Sequence, residues 1–372
     1  MSKKVYISVI NDLSSDQRVH KVCTSLHQQG YEIHLVGRKL KDSRPLKRDY
    51  ATHRMRLFFT SGALFYAFYN IRLFLFLLFR KVDIVHANDL DTLLANYLIS
   101  KLKGIPIVYD SHEYFTGVPE IQHRAFVKKT WTKLENWIFP KLKHVFTVND
   151  SIAELYYQDY GKRPHVMRNI PFQQELPSPI ERDSVTDDPN IKLLVLQGAG
   201  INVDRGAEEM LEAMVHLDNC KLMIIGSGDV INVLKARAAQ PDLKDKILFF
   251  GKLPYEEMMR YTQIADAGLT LDKDTNINYK FSLPNKVFDY IRAGIPVISS
   301  NIIEIKKIIE KYEVGAIIPN HDPLVMAETI NTYLCNVNKD ELNQKIATAS
   351  GQLSWENEVI KLIETYKNLT NH

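Results

Sequence analysis

Residues 282–298, SLPNKVFDYIRAGIPVI, hold a helix start, a helix stop and the opening of a β-strand in one short stretch. Pro284 suits the first turn of a helix, where no N–H is needed. Gly294 is placed as a C-terminal cap, and Pro296 leads into the β-branched pair Val297-Ile298. A helix that passes through glycine into a hydrophobic strand is the repeating step of a parallel α/β sheet.

The same step recurs in both directions. Strands are predicted before it at KLLVLQG (192–198), KLMIIG (221–226), KILFFG (246–251) and AGLTL (267–271), and around and after it at IPVIS (295–299) and VGAII (314–318). The first half repeats the pattern with VYISVI (5–10), YEIHLVG (31–37), DIVHA (83–87), IPIVY (105–109), HVFTV (144–148) and HVMRN (165–169). Residues 171–190 break the rhythm with four prolines and six charges. The expected class is α/β, with two Rossmann-like, doubly wound parallel-sheet domains at 1–172 and 191–353 and a linker at 173–190. The helical segment 354–372 follows a complete second domain and is expected to pack back onto the first.

Of the 372 residues, 45% are apolar and 24% charged, which excludes wholesale disorder and collagen-like repetition. The three cysteines, Cys23, Cys220 and Cys335, show neither CxxC nor zinc spacing, so a reducing compartment is expected. After Lys3 and Lys4 the apolar run 5–10 is too short for a signal core, and a buried first strand fits better. Charge is uneven. Residues 1–172 carry 26 Lys and Arg against 15 Asp and Glu, a net +11, whereas 173–372 carry 21 against 29, a net −8. The basic half is expected to face something anionic.

LFFTSGALFYAFYNIRLFLFLLF, residues 57–79, contains a single charge, Arg72. Its length would permit a membrane span. Arg72, Gly62 and its place between strands argue instead for a helix of the α/β pattern. Eight basic residues in 38–56, with Arg80 and Lys81, leave two readings open: a helix buried against the sheet, or shallow attachment of 38–81 to an anionic membrane.

Two incomplete glycine fingerprints, Gly198-Ala-Gly200 and Gly226-Ser-Gly228, stand at the carboxyl ends of predicted strands, the edge where open α/β sheets bind ligands. Lys286, in the first turn of its helix, opposes the helix dipole and is therefore a candidate phosphate ligand. Asp89-Leu-Asp91 and Asp272-Lys-Asp274 match a metal–nucleotide DxD pattern, but Asp91 reads as a helix cap and loop roles are favoured for the rest; no metal is expected.

The order and spacing of residues 282–298 resemble glycosyltransferase family 4, whose C-terminal half is the group 1 domain and whose fold is GT-B, two domains facing across a cleft. Asp289-Tyr-Ile-Arg-Ala-Gly-Ile-Pro-Val297 matches that family's closing helix–Gly–strand, and Phe281 stands where it has a first glutamate. The resemblance implies that Asp289 binds the ribose of a donor, with backbone groups of Ser282 and Asn285 nearby. It implies further that Arg205, before Gly206, grips a diphosphate, while Ala199 replaces a companion arginine. Gly198, Gly200, Gly226 and Gly228 would then line the donor site, and Lys252-Leu253 its base loop. In the first half the stretch 12–18, DLSSDQR, corresponds to an acceptor-side loop, giving Asp12, Asp16 and Arg18 as candidates. Asp110-Ser-His112-Glu113 corresponds to a position where a histidine meets the sugar, so His112 joins Arg205 and Lys286 as a catalytic candidate and Glu113 joins the acceptor side.

The activity so implied is retaining, metal-independent transfer from a nucleoside-diphosphate sugar (UDP or GDP) to a saccharide or lipid-linked acceptor in cell-surface polysaccharide synthesis. No cofactor and no nucleic-acid partner is expected. The expected location is the cytoplasm or the inner face of the cell membrane. A sugar-nucleotide 2-epimerase and a non-catalytic nucleotide-sugar binder remain alternatives at this point.

Overall fold

A computed structural model describes residues 2–370 apart from 15, 42 and 44. The chain divides into two compact units, Met1–Asn169 with Trp355–His372, and Ile170–Ser354.

In the first unit, seven parallel strands follow the order β3-β2-β1-β4-β5-β6-β7. They are β1 (Lys4–Asp12), β2 (Glu32–Arg38), β3 (Ala51–Met55), β4 (Ile84–Asn88), β5 (Ile107–Ser111), β6 (His144–Thr147) and β7 (His165–Val166). Residues 5–10 of β1 are buried throughout, as a central strand covered on both faces requires. β3, ATHRM, was not among the strands expected from sequence. It lies at the sheet edge and pairs only with β2, so it carries no continuous apolar run.

The second unit has six parallel strands in the order β10-β9-β8-β11-β12-β13. These are β8 (Lys192–Gly198), β9 (Cys220–Gly226), β10 (Ile247–Gly251), β11 (Ala267–Thr270), β12 (Val297–Ser300) and β13 (Gly315–Ile318). In each unit the strand order reverses beside the first strand, between β1 and β4 and between β8 and β11. Loops leaving the carboxyl ends diverge there, which makes these the places for a ligand.

Residues 173–190, expected as a linker, lie within the second unit. The Arg182 guanidinium donates to the carbonyls of Ile264 (2.6 Å) and Ile191 (2.7 Å) and to Asp266 (2.8 Å), and Gln263 donates to the Pro177 carbonyl at 2.8 Å. Such a strap is held by polar contacts, which apolar periodicity does not report. The last helices, Trp355–Glu358 and Ile360–Thr370, pack on the first unit. Trp355 is fully buried, with its Nε1 donating to Ser25 at 2.8 Å, and Tyr366 bonds His86 at 2.8 Å.

The apolar run 57–79 forms the helix Gly62–Leu78, which buries Phe65, Tyr69, Leu73 and Leu77, spaced four apart, against the sheet. Among the described residues no helix is long and apolar enough to cross a membrane. Part of the basic run before it turns inward: Arg38 lies over the Phe65 ring at 5.1 Å and Arg54 pairs with Asp12 at 3.0 Å. Asp42 and Arg44 of that run, and Ser15 of the 12–18 loop, lie outside the described residues.

Candidate functional site

The two glycine turns of the second unit interlock. β8 and β9 run side by side to the pair Gly198–Gly226, after which Ser227 N–H donates to the Gly198 carbonyl (3.2 Å) and Ile201 N–H to the Ser227 carbonyl (3.0 Å). A Cβ on Gly226 would lie 1.8 Å from the Gly198 oxygen, and one on Gly228 would lie 1.8 Å from the Ile201 oxygen. Only glycine permits that approach. Gly198 and Gly200 follow β8 directly, at the reversal of strand order, and Gly206 turns the chain with φ 72° beneath Leu271.

Beside these turns, Arg205 and Ser282 are brought together by Asp272, whose charge Lys286 also feels. Asp272 follows β11, is 0% exposed, and accepts from Arg205 Nη1 (2.5 Å) and Ser282 Oγ (3.1 Å) on one oxygen. Its other oxygen has no partner among the described residues. The Arg205 guanidinium lies 4.1 Å from the Tyr279 ring centre, a cation–π stack, and its buried Nε is unpartnered. Burial lowers the Lys286 pKa, Asp272 opposes that shift, and Arg205 adds to it. The anion that a lysine at this helix start calls for is thus supplied in part by Asp272. Arg205 pairs with the carboxylate directly and Lys286 feels its charge without a direct contact.

The helix Lys286–Arg292 is fixed by Tyr290, whose hydroxyl donates to the Leu269 carbonyl at 3.0 Å and whose ring fills the space over Gly268. On its other side Asp289 is buried and accepts from Tyr255 at 2.7 Å. Tyr255 opens the helix that follows Lys252-Leu253-Pro254, so Asp289 is tied to the residue two positions after Leu253. Lys252 is exposed, Leu253 packs on the core, and Asn285 is an exposed residue preceding the 286–292 helix, which it does not cap with its side chain.

In the first unit a second polar chain runs along the carboxyl edge. Arg18 donates to both oxygens of Asp110, at 3.0 and 2.7 Å, and to the Met167 carbonyl at 2.7 Å; the two side chains are 4% and 0% exposed. His112 faces Asp89 (3.3 Å from Nδ1), Asp110 (3.5 Å from Nε2) and Asn88 Oδ1 (3.1 Å). Burial favours its neutral ring, but Asp89 and Asp110 outweigh that and push its pKa up to about 9. Arg18 and His112 in turn hold Asp110 well below the carboxylate range against the effect of burial.

Asp16 caps the helix Gln17–Gln28 through Val19 N–H at 3.0 Å. Asp12 binds Ser14, Ser43 and Arg54, which bring its pKa to about 2 although burial alone would raise it. Glu113 contributes its carbonyl to Ser111 at 2.7 Å. Asp91, read as a helix cap, sits inside the first turn instead. The cap position belongs to Asp89, which has φ 58° and directs its carboxylate to the His112 N–H at 2.8 Å. In each DxD pair one aspartate faces a protein cation, Asp89 with His112 and Asp272 with Arg205. Among the described residues no three His, Cys, Asp or Glu side chains converge as a metal site.

Comparison with known proteins agrees with this architecture. The family model Glycosyltransferase Family 4 matches residues 16–171, and Glycosyl transferases group 1 matches 184–350. Sucrose-phosphate synthase from Thermosynechococcus elongatus superimposes with a TM-score of 0.78 over 99% of each chain at 16% identity. Anabaena Alr3699/HepE, solved with UDP and glucose, gives 0.72 over 98% of this chain and 100% of that one at 12% identity. At such identities the likeness shows the fold, GT-B, with its two Rossmann-like domains. The chain belongs to the group 1 glycosyltransferases of that fold. The amylovoran biosynthesis glycosyltransferase AmsK of Erwinia amylovora is 32% identical over 104 residues, 28% of this chain; the match spans 26% of that relative's length.

Proposed function

We propose that the protein transfers a sugar from a nucleoside-diphosphate sugar to a saccharide or lipid-linked saccharide, in polysaccharide synthesis, with retention of anomeric configuration and without a metal ion. The observation that carries this reading is the Arg205–Asp272–Ser282–Lys286 cluster beside the interlocked glycine turns. Departure of a nucleoside diphosphate builds charge on the β-phosphate. Arg205 keeps Nη2 for that charge, and Lys286 adds a point charge. Preorganised donors of this kind are worth about 2.7–4 kcal/mol each at a transition state. Retention follows if the acceptor hydroxyl enters on the face the diphosphate leaves.

Asp289 and the Lys252-Leu253 turn take the ribose and base in this reading. UDP is the favoured nucleotide because HepE, of the same fold, was solved with it. His112 takes the sugar-contact role in this reading, with its ring oriented by Asp89, Asp110 and Asn88. The protein works at the inner face of the cell membrane, which it meets through residues 38–81. A thermal-shift screen of UDP-, GDP- and CDP-sugars with and without EDTA, followed by turnover of the stabilising donor, tests the proposal. Stabilisation by one nucleotide and turnover in EDTA are expected; stabilisation only with a divalent ion overturns the metal-free reading.

A further inference from the structure

The helix Gly62–Leu78 is the first of four long helices, the last being Asp150–Tyr160 between β6 and β7, that cover a single face of the first sheet. It joins β3 to β4, Leu90–Lys103 joins β4 to β5, and Ala125–Ile138 lies between β5 and β6. All four connections cross the sheet in the same direction, so right-handed crossovers place the helices on one side. The first three touch one another: Tyr66 meets Trp131 with ring centres 5.2 Å apart, Tyr97 meets Trp137 at 5.6 Å, and Lys103 Nζ donates to the Arg80 carbonyl at 2.5 Å.

The outer side of these three departs from an ordinary solvated surface in two ways. Phe79 is 80% exposed, Leu102 63% and Ile71 58%, with Leu64, Leu75 and Trp137 also exposed. Scattered single apolar residues need no explanation, but a set of this size on contacting helices does. The second departure is in charge. The only acidic residues in the three helices, Asp91 and Glu135, are buried, while Lys101, Lys128, Lys129, Lys133, Arg80 and Lys81 are exposed on them or just past their ends.

We infer that this three-helix face is a docking surface for an anionic lipid bilayer, with Ile71, Leu75, Phe79 and Leu102 entering the headgroup–acyl boundary and the lysines meeting the phosphates. The inference rests on the membrane contact proposed above, moves its centre from the partly internal 38–56 run to the helices, and is independent of donor chemistry. Charge complementarity selects the occupant. A second copy of the chain would bring like charge against like charge, and a neutral surface would leave the cations unanswered.

Co-sedimentation tests it, using the full chain with mixed phosphatidylcholine–phosphatidylglycerol vesicles and with phosphatidylcholine alone. Binding to the mixed vesicles, and at least tenfold weaker binding to the neutral ones, is expected. Each cation near an anionic surface contributes about fivefold, so the triple change K128Q/K129Q/K133Q is expected to weaken binding about a hundredfold. I71E/L75E is expected to abolish it. UDP thermal shifts of the same variants are expected to match wild type, so loss of vesicle binding reports on this face and loss of UDP binding on the donor reading. No binding to mixed vesicles, equal binding to neutral ones, undiminished binding by both variants, or a wild-type dimer that either variant dissociates overturns the inference.

Discussion

Arg205→Ala separates catalysis from folding in a way the geometry makes quantitative. The guanidinium is 27% exposed and its Nη1 binds a carboxylate that is 0% exposed. Removing one partner of a buried pair costs about 3–5 kcal/mol, because the other charge is left without compensation. Ser282 still donates to Asp272, and Lys286 still lies within its field, so the lower end, about 3 kcal/mol, is expected. Turnover is expected to fall about 10²–10³-fold from loss of a donor to the leaving phosphate. Asp272→Asn added to Arg205→Ala removes the stranded charge while conserving shape. The double variant is therefore expected to regain most of the lost stability and none of the lost turnover.

The two units need not unfold together, so stability is best read from hydrogen exchange of the β8 and β11 amides, alongside turnover of the donor identified by thermal shift. Wild-type turnover in either variant, or equal protection in the single and double variants, refutes the reasoning. The first outcome would remove Arg205 from the chemistry. The second would show that Asp272 is not held charged by Arg205.

Lys286→Gln is expected to lower turnover at least tenfold with no loss of urea midpoint, since burial already opposes the lysine charge. Arg18→Ala strands the buried Asp110, so a loss of about 3–5 kcal/mol in the first unit is expected, read by hydrogen exchange of β5, with the UDP thermal shift retained. His112 titrates near 9 in the folded chain against about 6.5 unfolded. Its contribution is complete below about pH 6.5 and disappears as pH rises through about 9; an NMR titration of the ring checks the value, which Asp89→Asn is expected to lower.

The central strands were legible because parallel strands covered on both faces must be apolar, and residues 192–198 and 5–10 say so directly. β3 escaped because an edge strand can be polar, and ATHRM has no period to detect. At the site, Arg205 and Lys286 were legible from chemistry and resemblance, whereas Asp272 was not. In sequence it is half of a DxD motif. What gives it its role is that β11 ends at Thr270, two residues earlier, which leaves its carboxylate inside the sheet edge. Arg18 was read toward the acceptor, but its partner stands 92 positions away and no local spacing announces it.

Within the proposed function, the two ion pairs favour the second unit over the first as the one that takes the diphosphate. Each unit has an arginine after its first strand, joined to an aspartate at or just beyond the carboxyl end of another strand: Arg18 with Asp110, Arg205 with Asp272. In the first pair Nε, Nη1 and Nη2 are all engaged by protein oxygens, and the side chain is buried. Such an arginine has every nitrogen engaged and its side chain buried, so it would have to leave that network to meet a ligand. In the second, one nitrogen of three is engaged, the side chain is partly open, and a lysine lies within its field. In the proposed function an incoming diphosphate takes Nη2 while Asp272 and Tyr279 keep the guanidinium in place. The same residue pair thus braces one unit and leaves a charge available in the other, and the difference lies in how many donors each arginine still has free.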